Sequence, residues 1–204
     1  MANVSRVTGF RPVKHIDGSP FNGQVNRYFA AATDGTAIFN GDLVTLAAVI
    51  DTPGQTLLGG FNATVGGTQG VTKATLGAGN ACVGVAVGFM INPLNLNSPQ
   101  YRTASTAMYV LVADSPDTVF EVQSQVAATP TDLNGNGTVT DAGGSTVTGF
   151  SGQYVSAYTN GATAQVKVLG AVQRVDNDIT SNNYKILVTI NNHQYAAGTG
   201  TAGV

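Results

Sequence analysis

The sequence predicts an all-β protein: a β-sandwich or β-barrel, jelly-roll-like, with an extended N-terminal arm and long Gly-rich loops. Apolar residues alternate at period two in several short windows, as a half-buried strand requires. Turn-forming pairs such as Asp34-Gly35 and Asn40-Gly41 separate those windows. No window sustains a 3.6-residue apolar period with helix-forming residues, and β-branched residues are frequent instead.

Residues 1–28 stand apart. Arg6, Arg11, Lys14 and Arg27 face one acid, Asp17, so this segment is +3, whereas residues 29–204 hold five basic and ten acidic residues and are −5. Arg11-Pro12, Gly18-Ser19-Pro20 and Asn22-Gly23 favour extended or turning backbone. The segment reads as an extended basic arm, and a solvated terminal loop has the same composition. Residues 29–204 read as a single all-β domain.

Within that domain, Arg27–Ala32 leads into Asp34-Gly35, and Thr36–Phe39 into Asn40-Gly41. Leu43–Ile50 is a longer apolar run closed by Asp51-Thr52-Pro53-Gly54. Residues 53–80 are rich in Gly, Thr and Ala, and read as a long loop holding at most one strand. In Cys82–Ile91, Val83, Val85, Val87 and Phe89 share one face at period two, and small residues fill the other. Met108–Ala113 and Thr118–Val126 are two more strands joined by Asp114-Ser115-Pro116-Asp117. In the second, Phe120 and Val122 mark a core face, and Glu121 with Gln123 a wet or partnered one. Gln165–Val175 and Tyr184–Asn191 also alternate, with Val166 and Val168 opposing Lys167 and Leu169.

Composition excludes several classes of function. Cys82 is the sole cysteine, so a disulfide framework is ruled out. His15, Cys82 and His193 are too few and too scattered for a structural zinc site. A net charge of −2 argues against a general nucleic-acid binder. Met1–Phe10 lacks the apolar region of a secretory signal, and no run approaches the roughly 20 apolar residues of a membrane helix. A single thiol fits a reducing compartment.

Candidate chemistry is sparse. Asp132, Asn134, Asn136, Thr138 and Asp141 match the first part of a D-x-[DN]-x-[DN]-G calcium loop, with Gly137 at the bend. Gly143 stands where the bidentate carboxylate belongs, so any such site is weak, and a plain hairpin tip explains the same residues. No cofactor is expected beyond that weak Ca2+. Ser occurs in no G-x-S-x-G elbow, Glu121 is the single glutamate, and His15 and His193 read as ordinary histidines. An enzyme is not expected. A calcium-dependent carbohydrate- or surface-binding β-sandwich is the alternative, weakened by the absence of tryptophan.

Three stretches together resemble structural proteins of tailed bacteriophages: Val4–Lys14, Gln100–Thr106 with Val112–Gln123, and Tyr184–Gln194. The resemblance is to capsid decoration (cement) proteins. It implies a virion protein made in the host cytoplasm and placed on the capsid exterior. Its partner would be the major capsid protein. It also implies a homo-oligomer, with a trimer favoured and a dimer the alternative, and neither nucleic-acid nor membrane binding. Arg6, Arg11, Lys14 and Arg27 are then the expected capsid-binding residues, on an arm that adds a strand to a partner's sheet edge.

Overall fold

A computed structural model describes residues 3–58, 62–63, 66–90, 95 and 97–196. The strands in chain order are β1 (Arg11–His15), β2 (Asn26–Ala30), β3 (Leu43–Ile50), β4 (Gln69–Lys73), β5 (Gly84–Phe89), β6 (Met108–Ala113), β7 (Thr118–Gln123), β8 (Asn136–Asp141), β9 (Gln153–Thr159), β10 (Val166–Ala171) and β11 (Lys185–Ile190). Among the described residues, the helical structure is one 3-10 turn at Asp132–Asn134. The fold is all-β, as the alternation requires.

Two sheets pack together. One has six strands in the order β1-β7-β11-β10-β8-β9. The other is a closed five-stranded barrel, β2-β4-β3-β5-β6, in which β6 pairs back onto β2. The barrel is antiparallel except where β2 meets β4 at Phe29 and Gly70. The six-stranded sheet curls too, because β9 returns beside the end of β7 through a Ser124–Val155 bridge. The Asp114–Asp117 link carries the chain from the barrel, in β6, into the sheet, in β7.

The main core lies between the two units. Phe120, Val122, Val166, Val168, Tyr184, Ile186 and Val188 from the sheet meet Leu43, Val85 and Ala113 from the barrel. A second cluster fills the barrel: Tyr28, Ala30, Ile38, Val44, Val71, Val83, Ala86, Val110 and Val112. Most are small or β-branched, as a narrow barrel needs. Each fully buried Val contributes about 1.5–3 kcal/mol.

Four expectations need correction. Residues 3–28 are mostly extended, but they are not a separate arm. β1 pairs antiparallel with β7, and Phe10 is buried edge-on against Phe120 at 6.4 Å. Gly9 and Gly41 lie back to back, where a Cβ on Gly9 would sit 2.5 Å from the Gly41 carbonyl oxygen. The strand that the segment adds is to its own sheet, and the boundary at 28/29 falls inside β2. Second, the predicted single face of Cys82–Ile91 is split. Val85 and Val87 pack towards the sheet, whereas Val83, which precedes β5, and Phe89, which lies beyond a register slip between Ala86 and Gly88, join the barrel interior. Third, β9 falls in a stretch that carried no strand expectation. Fourth, the calcium-loop stretch contains β8, described below.

Candidate functional site

Five basic residues lie on the outward face of the six-stranded sheet. Cross-strand partners share a face, so the register places its residues. Arg11 opposes Glu121, Glu121 opposes Leu187, and Lys185 opposes Gln123 one pleat along. Lys14 opposes Val119, beyond an irregularity at Val13. On β10, Lys167 opposes Thr189. Arg174, just beyond β10, reaches back to Glu121, with its Nη2 3.2 Å from Oε1. Five of the nine basic residues thus share this face with one glutamate, while Asp176 lies at its rim, 3.8 Å from the Arg174 Nε. Exposed Leu169 and Val175 sit among them. Val166, Val168, Ile186 and Val188 are drawn inward by the core, so period two sends Lys167, Leu169, Lys185 and Leu187 outward.

The cations sense one another. Burial is the main influence lowering the Lys185 ammonium from its usual range; Glu121 opposes it, and Arg174 and Arg11 reinforce it. The Lys185 Nζ donates to the Arg6 carbonyl at 2.9 Å, fixing the exposed Arg6 beside the same face.

Of the four sequence-predicted cations, Arg6, Arg11 and Lys14 therefore gather with this face, and all four are exposed. Arg27 does not join them. It lies on β2 of the barrel, its guanidinium carbon 4.4 Å from the centre of the Tyr109 ring. There it borders a pocket of about 360 Å³ that Asp51, Leu57, Leu58, Met90 and Met108 also line. Asp51 is fully engaged. Its carboxylate accepts from the Tyr109 hydroxyl and the Thr68 amide, both at 2.5 Å. Burial works to raise its pKa, but those two bonds and Arg27 prevail and hold it below the ordinary value. Sequence reading missed Lys167, Arg174 and Lys185 as members of the face. The signal was the alternation itself, which set Lys167 and Leu169 opposite Val166 and Val168.

The five calcium candidates do not converge. Asp132 and Asn134 are in the 3-10 turn, while Asn136, Thr138 and Asp141 lie along β8. At about 3.3 Å per residue, a strand puts Asn136 and Asp141 roughly 16 Å apart. Each has other partners. Asp132 accepts from the Thr129 amide and hydroxyl, Asn136 donates to the Gly161 carbonyl at 2.9 Å, and Asp141 pairs with Lys73 at 2.5 Å. Ladder pairing with β9 and β10 has replaced the loop. Among the described residues, no group of three or more His, Cys, Asp or Glu side chains is arranged to hold a metal ion.

The remaining reactive groups are embedded in the fold. Cys82 is buried, and burial pushes its thiol up to about 12, far from a reactive thiolate. His193 is buried, and its Nδ1 accepts from the Tyr195 amide at 3.0 Å. His15 lies over a shallow groove with Asp17 and Asp117, at the turn between β1 and β2. No family model, curated protein or solved structure matches this chain.

Proposed function

We propose that this protein is a structural component of a phage virion that binds the outside of the capsid and stabilises contacts between major capsid proteins. The observation that carries the reading is the cationic outward face of the six-stranded sheet, on a chain whose net charge is −2. The resemblance of the three stretches named above to decoration proteins supports it as well. A rigid sheet face has little order to lose on docking, so its contacts are retained as affinity. Exposed cations steer encounter with an acidic surface and set the salt dependence of binding. Many copies on one shell, arranged as a symmetric trimer, multiply modest contacts.

The experiment is co-sedimentation with expanded capsids over a range of salt. Arg11→Glu, Lys14→Glu and Lys167→Glu combined are expected to lower occupancy at least tenfold at low salt, with the far-UV spectrum retained. Wild-type binding is expected to weaken as salt rises. Unchanged occupancy by the triple variant overturns the proposal. Point reversals leave β1 and the buried Phe10 in place, whereas removing the N-terminal segment would take both away and test folding instead.

A further inference from the structure

Lys73 closes β4 of the barrel, Asp141 closes β8 of the sheet, and Asp42 immediately precedes β3. All three meet at the seam between the two units. The Lys73 Nζ lies 2.5 Å from Asp141 Oδ2 and 3.3 Å from Asp42 Oδ2. From the first contact and the length of a C–O bond, Nζ is at most about 3.7 Å from the Asp141 carboxyl carbon. The other Asp141 oxygen, Oδ1, accepts the Gly143 amide at 2.8 Å. Asp42 is fully buried, and the Phe39 amide and the Ser151 hydroxyl hold its two oxygens at 2.8 and 2.6 Å. The Phe39 ring, 5.8 Å from Nζ, stacks on Tyr101 and packs flat on Gly144, shielding one side of the amine.

We propose that Lys73 and Asp141 condense into an intramolecular isopeptide bond, with Asp42 carrying the protons. The arrangement supplies what amide formation needs: a nucleophile in contact with the carboxyl group, a backbone N–H on the oxygen that gains charge, and a neighbouring acid to protonate the departing oxygen. Asp42 first takes a proton from the Lys73 ammonium. The neutral amine attacks the Asp141 Cγ, and the Gly143 N–H holds the charge that develops on Oδ1. The Nζ–Cγ bond forms and the Cγ–Oδ2 bond breaks. One proton from nitrogen and one from Asp42 leave with Oδ2 as water. An ammonium and a carboxylate thus become an amide and one water, and Asp42 ends as it began. Burial favours the neutral forms that this step passes through, and it is the main influence raising Asp42 above the ordinary carboxylate range. For Lys73, burial pulls the other way from the two carboxylates, which keep it charged until one of them accepts its proton. The product is a covalent staple between barrel and sheet, whatever the outward face binds.

Intact mass spectrometry of the folded protein tests this. The expected mass is that of the sequence less one water, with a fragment linking the peptides of Lys73 and Asp141. Lys73→Arg keeps the charge and is expected at full mass. Asp42→Ala is expected to remain largely unlinked. Asp141→Asn, nearly isosteric, is expected to lose one ammonia in place of one water, and it decides the matter if the other variants fail to fold. A wild-type protein at full mass after prolonged incubation overturns the proposal. So does a water loss that persists in Lys73→Arg, which would belong to a cyclised Asp-Gly such as Asp34-Gly35.

Discussion

Arg102 and Lys167 carry the same unit charge in opposite settings, and the contrast separates what builds this molecule from what it offers to others. Arg102 is wholly buried at one end of the barrel. Its guanidinium donates to the carbonyls of Ala31, Asp34, Thr36 and Thr106 and lies 3.3 Å from the Asp34 carboxylate. A flat, five-donor group is what so many converging carbonyls require. Lys167 stands exposed on the sheet, with one bond to the Asn134 carbonyl at 2.7 Å. A charge surrounded by its own chain specifies architecture. A charge in water is free for a partner.

Removing the buried charge has the largest expected effect. Arg102→Met leaves four carbonyls without their donor and Asp34 without its cation. Breaking such a buried set is expected to cost about 3–5 kcal/mol, a large share of a typical domain's stability. Urea denaturation followed by far-UV circular dichroism reads this directly. Arg102→Lys is expected to recover little, since an ammonium cannot span the same carbonyls. A cost below about 1 kcal/mol for Arg102→Met would mean that water replaces the guanidinium and that the barrel end is not built around it.

The sequence disclosed one of these settings better than the other. β3 and β6 were legible to the residue, because Leu43–Ile50 and Met108–Ala113 are apolar runs bounded by turn formers. β8 was not. Asn-Gly-Thr-Val-Thr-Asp has one large apolar residue, Val139, and its Asn and Gly look like a loop until β9 and β10 pair with it. In β9, Gln153 takes a core position, its side chain accepting the Leu43 amide at 2.9 Å, so polarity hid a buried strand. The N-terminal segment misled for a related reason. Exposed Arg11 and Lys14 advertise solvent, while the feature that ties the segment down, Phe10 against Phe120, depends on a partner far along the chain. The Lys73, Asp42 and Asp141 cluster has no local signature either, since two different sheets must form before it exists.

A smaller effect comes from a buried group that is neutral. His193 Nδ1 accepts the Tyr195 amide, so protonating it replaces a bond with two opposed donors. Burial is the main influence lowering its pKa below the usual 6.5, and Asp114 and Asp117 oppose the shift. The unfolded chain therefore binds this proton at a higher pH than the folded one. The stability linked to His193 is present above about pH 6.5 and is lost as pH falls through that value, at no more than about 1.4 kcal/mol per pH unit. Comparing urea midpoints at pH 7.5 and 5.5 for wild type and His193→Gln isolates the effect. The variant is expected to lose less stability on acidification, and an equal loss in both would assign the pH dependence elsewhere.

The smallest expected effect on stability is at Arg174. Arg174 is 47% exposed and reaches Glu121 in a single contact. Exposed pairs of this kind contribute about 0–1 kcal/mol, because water screens the attraction and holding the side chains costs entropy. Arg174→Ala is therefore expected to shift the urea midpoint by the equivalent of about 0.5 kcal/mol or less. If the outward face is a docking surface, the same variant should weaken capsid binding severalfold and flatten its salt dependence. These are effects that its stability would not foretell. A stability loss of about 2 kcal/mol or more would place Arg174 with Arg102 as a residue that builds the fold. The charge of Arg174 would then be accounted for within the chain, and the docking reading would rest on Arg11, Lys14 and Lys167.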